Sequence, residues 1–238
     1  MKITLVLLTM NELEGSKLMY DSIPWDQFED ALVLDGNSRD GTREFFESKR
    51  IRVVSQKKKG LGSAVIEAMD AAYGDAVVFF HPDGNMDPKD TLKFRPLFEQ
   101  GYEFIVASRM IKGAYNEEDS NFLKPRKWAN LFFAGIAALF WRKRGSYRGT
   151  DPVNGFRGVT KDAFKKMSID AADCTVDYQM LIRSYKKDIK MIEFPTREGL
   201  RLAGDTKFTS ISTGLKEVKM LLREIIGNNK ELLGSRWL

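Results

Sequence analysis

Four polar clusters, each directly after an apolar run, are where this chain could do chemistry: Asn11-Glu12, then Asp35-Gly36-Asn37-Ser38-Arg39-Asp40-Gly41-Thr42, then His81-Pro82-Asp83-Gly84-Asn85, then Ser108-Arg109. In an open parallel sheet, ligands bind outside the carboxyl ends of the strands, so four polar strand ends can converge on one crevice. Singly, each cluster is ordinary turn chemistry, and Asp40 or Thr42 can simply cap the following helix. In succession they outline a site for a polar ligand. The only histidine, His81, excludes zinc sites that need His pairs and triads with histidine elsewhere. Lys59-Gly60-Leu61-Gly62-Ser63 lacks the spacing of a Walker loop. A basic turn with a helix entry accounts for its glycines, and a close backbone approach to a ligand is the alternative.

The elements that must position these clusters follow from hydrophobic periodicity. Ile3–Thr9, Ala31–Leu34, Arg52–Ser55, Ala76–Phe80 and Glu103–Ala107 read as short strands. Leu61, Ala64, Val65, Ala68, Met69 and Ala72 predict a helix over Gly60–Tyr73, and Pro88 opens another to about Phe98. Apolar strands alternating with helices predict an α/β fold with a largely parallel sheet covered on both faces. Beyond, Pro125–Trp141 and Val176–Lys186 read as helices, and Phe156–Val159 and Met191–Phe194 as strands. Leu215–Ile226 reads as an amphipathic helix with Leu215, Val218, Leu221, Leu222, Ile225 and Ile226 on one side. Without a repeat, linker or clean boundary, we expect a single domain over 1–238. Its parts are a first half to about 110, a second over about 111–210, and a terminal helix over 211–238.

Composition narrows the partners. The 238 residues carry 38 basic and 33 acidic side chains, too small an excess to mark a nucleic-acid binder. The run Arg50–Lys59 lacks interleaved aromatics, so we expect a solvated face there and no nucleic acid. One cysteine, Cys174, rules out an intrachain disulfide framework and suits a cytoplasmic, reducing compartment. The apolar stretch after Lys2 is short for a signal-peptide core and reads as the first strand. No run reaches the roughly 18 apolar residues of a spanning helix.

These clusters also carry a resemblance. Asn11-Glu12, Leu34–Thr42, Lys59–Ala64 and the Asp83 strand end are similar to the nucleotide-sugar half of family 2 glycosyltransferases. Ala107-Ser108-Arg109, Asp151-Pro152-Val153-Asn154-Gly155-Phe156-Arg157 and Arg201-Leu202-Ala203-Gly204-Asp205-Thr206-Lys207 resemble its polyprenyl-phosphate hexosyltransferase (dolichol-phosphate mannose synthase-like) branch. The likeness runs from about Ile3 to Lys207. It implies a GT-A fold, a Rossmann-like sheet flanked by helices. It also implies inverting transfer of a hexose from a nucleotide diphosphate sugar to a polyprenyl phosphate.

Residue by residue, the resemblance implies that Glu12 and Asp35 contact the nucleoside, with Asn11, Gly60 and His81 in the same donor site. Asp83, with Asn85, would hold Mg2+ or Mn2+ on the diphosphate. Arg109 would lie near the sugar or acceptor phosphate, and Arg126 and Asn130 would face the acceptor. Arg157, Arg201 and Lys207 would neutralise phosphates. Asp177 sits where a carboxylate is common. An acceptor phosphate is already an anion and needs no base, whereas a sugar hydroxyl would make Asp177 the candidate base.

Three departures stand out. Leu8 replaces a Pro, Gly36 replaces the second acid of an Asp pair, and His81 replaces the first carboxylate of the Asp-x-Asp metal motif. His81 could meet a ribose hydroxyl, ligate a softer metal or pack as a strand-end histidine. Two alternatives stay open. One is transfer to a sugar hydroxyl of a glycolipid or polysaccharide. The other is a catalytically weakened nucleotide- or lipid-binding subunit.

Lys124–Arg148 holds seven basic residues and no acid, flanking the apolar run Leu131–Trp141. The rest of the chain is left with 31 basic and 33 acidic residues. Eleven helical residues span only ~16 Å against a bilayer core of ~30 Å, so the run cannot cross. A buried core helix explains the apolar run but not its cations. An interfacial helix on an anionic membrane surface explains both. We therefore expect a peripheral protein on the cytoplasmic membrane face. The Leu215–Ile226 helix is a second contact, or a docking surface for a membrane protein partner or another copy in a homo-oligomer.

Overall fold

The computed structural model describes residues 1–199 and 210–234. Its strands are β1 (Ile3–Thr9), β2 (Asp30–Asp35), β3 (Arg52–Ser55), β4 (Ala76–Phe80), β5 (Phe104–Ser108), β6 (Arg157–Thr160) and β7 (Met191–Pro195). They form one sheet in the order β3-β2-β1-β4-β6-β5-β7. All pairings are parallel except those of β6, which runs antiparallel between β4 and β5. The chain leaves β5 at the carboxyl edge and makes its long excursion there. Re-entering from the same edge, β6 must run the opposite way. Expected over Phe156–Val159, this strand lies one residue later.

Alternate residues of each strand face opposite layers. Val6, Leu8, Leu32, Leu34, Val77 and Phe79 pack in one core with α3 (Leu61–Ala71), α5 (Pro125–Trp141) and α7 (Val176–Lys186). Leu5, Leu7, Val33, Val78 and Phe80 pack in the other, where Phe80, Phe156, Phe94 and Phe194 form a chain of rings 5.0–5.4 Å apart. With both faces covered, the central strands are buried along their whole length, which is why they read as continuous apolar runs.

Three short helices escaped the periodicity: α1 (Leu13–Met19), α2 (Thr42–Ser48) and α6 (Lys161–Met167). Seven residues are under two turns, too few to show a face. The helix expected from Pro88 to about Phe98 divides into a 3-10 turn (Pro88–Lys93) and α4 (Phe94–Glu99). The last helix, α8 (Ser210–Gly234), extends beyond the amphipathic stretch Leu215–Ile226 at both ends and turns differently. Glu217, Met220, Leu221 and Glu224 are buried, while Leu215, Val218, Leu222 and Ile226 face outward. Among the described residues, no helix is long and apolar enough to cross a membrane.

Candidate active site

The loops leaving β1 and β2 are stitched together at the carboxyl edge of the sheet. Asn11, in the left-handed region at φ 54°, accepts from the Arg39 N–H at 2.8 Å, and its own N–H donates to Ser38 Oγ at 2.8 Å. Buried Asp35 accepts from the Ser38 N–H at 3.0 Å, Ser38 Oγ at 2.5 Å and Thr9 Oγ1 at 3.3 Å. Asp40 accepts from the Leu13 N–H and from both the N–H and Oγ1 of Thr42. Burial tends to raise its pKa, but those hydrogen bonds outweigh it and hold the carboxyl below its ordinary value. Glu12 is buried beside them, its N–H donating to Thr42 Oγ1 at 3.0 Å. The turn sequences thus make a fixed rim on which Glu12 and Asp35 sit together.

Gly60 and Gly62 are required by a close approach to the chain itself. A Cβ on Gly60 would fall 2.2 Å from the Ala172 carbonyl oxygen, and one on Gly62 1.9 Å from that of Ala171. The first N–H groups of α3 are satisfied there, Gly62 by Asp173 O and Ser63 by Ala172 O, each at 3.1 Å. We expect Gly62→Ala to cost about 1–3 kcal/mol of stability, read as a drop in the thermal midpoint, because the obstacle is backbone.

At the end of β4, Asp83 is buried and Asn85 is half-buried, its N–H 3.3 Å from Asp83 Oδ1. The backbone of α1 lies against this turn. His81 is half-buried with its ring on Gly155, where a Cβ would fall 2.6 Å from Nε2. It also lies near enough to Asp177 to lower that carboxyl's pKa.

Behind His81 and Asp83 is a buried charge network. Arg109 donates through Nε and Nη2 to Asp151, both at 2.8 Å, and through Nη1 to Glu198 at 2.7 Å. Burial works against its charge, but the two carboxylates raise its pKa above the ordinary value. Glu198 also accepts from Asn116, and Glu193 accepts from the Thr150 and Asp151 N–H groups. Burial pushes both glutamates up, Arg109 opposing the shift for Glu198 and Thr150 for Glu193. Arg157, 2% exposed, donates to the carbonyls of Asn154 and Asp177 and pairs with the Asp177 carboxylate at 3.2 Å. Asp177 is pushed up chiefly by burial, with Arg157 and then His81 opposing.

The geometry therefore brings Asp35, His81, Asp83, Asp151, Arg157 and Asp177 to one edge of the sheet, but gives its two arginines internal partners. Arg109 and Arg157, expected at phosphates, are committed to Asp151, Glu198 and Asp177. At the acceptor positions, Arg126 is exposed and paired with Glu117, and Asn130 is half-buried on α5. Arg201 and Lys207 lie outside the described residues. Sequence reasoning missed Glu198, Glu193 and Glu217. It quoted Asp151 only as part of a motif, and that motif was the one available signal.

A resident metal needs a donor set the described residues do not supply: no group of three or more His, Cys, Asp or Glu could hold one. Asp83 with the Asn85 amide fits a different arrangement. A hard cation such as Mg2+ is typically held by one or two carboxylates, with substrate phosphates and water completing the shell.

Comparison with known proteins shows the family and the fold. The model of glycosyl transferase family 2 matches residues 21–167. Glycosyltransferase AglJ of Haloferax volcanii is 28% identical over 211 residues, covering 87% of this chain and 66% of that protein. A dolichol-phosphate mannosyltransferase of Pyrococcus furiosus is 26% identical over 215 residues, covering 87% and 59%. The chain thus spans under two thirds of the length of these relatives. Glucosyl-3-phosphoglycerate synthase from Mycobacterium tuberculosis, solved with Mn2+, UDP and glucosyl-3-phosphoglycerate, shares the fold. Its TM-score is 0.68 at 18% identity, covering 94% of this chain and 79% of that one. The chain belongs to glycosyl transferase family 2 and has a GT-A fold.

Proposed function

We propose that this enzyme passes a hexose from a nucleotide diphosphate sugar to a polyprenyl phosphate, at the cytoplasmic face of an anionic membrane and with inversion. One observation carries the acceptor side of this reading. Phe122, Trp128, Phe132, Leu139 and Phe140, on and before α5, are exposed, as is the outward stripe of α8, a helix that packs on α5. Exposed large apolar groups gathered on two packed helices support a contact surface there. The names of relatives in Pyrococcus furiosus and Mycosarcoma maydis, both dolichol-phosphate mannosyltransferases, point the same way.

In this reading Glu12 and Asp35 hold the nucleoside on the rim, with Asn11, Gly60 and His81 shaping the donor site. Asp83 and Asn85 would hold Mg2+ or Mn2+, which neutralises the charge gathering on the leaving diphosphate. An acceptor phosphate oxygen, oriented by Arg126 and Asn130, attacks the anomeric carbon as the bond to the diphosphate breaks. No proton need be removed. Arg109 and Arg157 act by fixing Asp151, Asn154 and Asp177 around the sugar, and Arg201 and Lys207 are proposed phosphate contacts. We treat the two halves as one catalytic unit, since a single sheet carries residues from both. A second reading, transfer to a sugar hydroxyl, is favoured by Asp177, whose burial gives it the raised proton affinity of a base.

Incubation with radiolabelled nucleotide sugars and either polyprenyl phosphate or a glycolipid separates the two. Absence of a polyprenyl-linked product with every common donor sinks the first. Calorimetry tests the donor side. Asp83→Ala is expected to weaken Mn2+-dependent binding of nucleoside diphosphate at least tenfold, the loss of one charged interaction. Metal-independent binding untouched by that change would instead identify a nucleotide-holding subunit.

A further inference from the structure

Helix α5 has cations at both ends, and the two ends differ. At the N-terminal end the charges are already answered. Lys124 and Lys127 pair with Asp119 at 3.2 and 2.5 Å, and Arg126 pairs with Glu117. Their contacts hold Asp119 down at a pKa of about 2, the Lys127 hydrogen bond foremost. At the C-terminal end, Lys143 pairs with Asp188, and Arg142 donates to the Ser146 carbonyl at 2.7 Å. Arg144 and Arg148 have no acidic partner among the described residues. Yet Arg142, Arg144 and Arg148 line one open surface cavity of about 430 Å3, with Gly135, Ala138 and Leu139 of α5 completing its lining.

Three guanidinium groups around one cavity repel one another, and their planar forks match a phosphate bidentately. The cavity wall is apolar, and Leu139 and Phe140 stand exposed beside it, at 82% and 56%. A fully soluble anion would have no use for that wall. We propose that this cavity is a docking site for the phosphate headgroup of an anionic membrane phospholipid, whose chains continue along Leu139 and Phe140. Its arginines are not the acceptor residues: Arg126 lies sixteen residues before Arg142, roughly 24 Å of helical rise. The inference rests on the membrane-surface reading of the enzyme and deepens it. It gives the C-terminal end of α5 the task of orienting the helix on the bilayer.

Flotation of the full chain with vesicles tests this. Vesicles of phosphatidylcholine are compared with vesicles into which phosphatidylglycerol is mixed. R144A/R148A should lose roughly 30-fold in partitioning to the anionic vesicles, from about fivefold per basic residue at a membrane surface. It should be unchanged on phosphatidylcholine alone. R144K/R148K should recover only part of the binding, because lysine keeps the charge but not the fork, and K124A/K127A should change it less than about threefold, as those charges are internally paired. Both arginines are exposed, and an unchanged thermal midpoint certifies the fold. Equal partitioning of R144A/R148A and the parent overturns the proposal. So does tight binding of inorganic phosphate or glycerol 3-phosphate, lost in R144A/R148A without any effect on vesicles, which would mark a free-phosphate site. Binding to anionic vesicles only when a membrane protein is present would likewise overturn it in favour of a protein partner. The vesicle measurement reads no catalysis. Failure of hexosyl transfer to polyprenyl phosphate in detergent would remove the functional reading while leaving the headgroup site standing.

Discussion

Replacing Arg109 with alanine should lower the free energy of unfolding by about 3–5 kcal/mol at neutral pH. Three nitrogens of its guanidinium hold two carboxylates, Asp151 and Glu198, whose side chains are 0% and 6% exposed. Neither acid can turn to water when the arginine goes, so the cost is that of uncompensated buried charge, not of a lost surface contact. The sign of the pH dependence follows. Burial already pushes Glu198 up against the opposition of Arg109, and loss of that opposition pushes it up further, so the deficit is largest above the carboxylate range. It shrinks as the pH falls toward about 4.5 and the folded state takes up protons. Arg109→Lys keeps the charge but not the fork, and is expected to recover about half of the loss. Urea unfolding at pH 5 and pH 7.5 reads both effects. A deficit below about 1 kcal/mol at pH 7.5 would show that the network is not what holds the acceptor-side loop to β5.

That network also marks where the sequence stopped being legible. The strand ends bearing Asn11-Glu12, Asp35, His81-Asp83 and Ser108-Arg109 were readable because each follows a run buried on both faces. The parallel sheet then sends all four to one edge. Arg109 and Arg157 were readable as candidates, but their buried partners were not. A cation near a phosphate site looks free in the sequence, and its partners lie 42 and 89 residues away for Arg109 and 20 for Arg157. Glu198 had no local signal at all. The direction of β6 was hidden for another reason: four residues carry a period but no orientation, and only the preceding excursion at the carboxyl edge sets it. The glycines of Lys59–Ser63 showed that a backbone must come close, and the structure shows that backbone to be residues 171–173. The apolar stripe of α8 was visible, but not that most of it faces outward. An amphipathic pattern names a face without naming its partner, and here two glutamates lie on the inner side.

One of those glutamates gives the second large effect. Glu224 is answered by Lys186 at 2.6 Å and by Arg183 and Gln179 at 2.9 and 3.1 Å. Glu217, 2% exposed, has neither carboxylate oxygen hydrogen-bonded to a described residue. Burial above all, then Asp177 on α7 and Asp173 in the loop before it, push its pKa to about 8, with Arg157 opposing. The neighbouring Lys216 reaches Asp173 at 3.9 Å instead. In the unfolded chain Glu217 titrates near its ordinary value, about 4.5. Below that pH both states are protonated. Between about 4.5 and 8 only the folded state holds the proton, so stability falls as pH rises, by about 1.4 kcal/mol per unit from this group, and levels off above 8. Glu217→Met should therefore raise the unfolding free energy by about 3 kcal/mol at pH 7 and flatten the profile between pH 5 and 8. Glu217→Gln should flatten it equally but gain less, since a buried amide is left without partners. Denaturation across that range decides: parallel profiles for the parent and both variants would place a hydrogen-bond partner on Glu217. The penalty falls on the docking of α8 in particular, because Glu217 sits on its inner face while Leu215, Val218, Leu222 and Ile226 form its outer one.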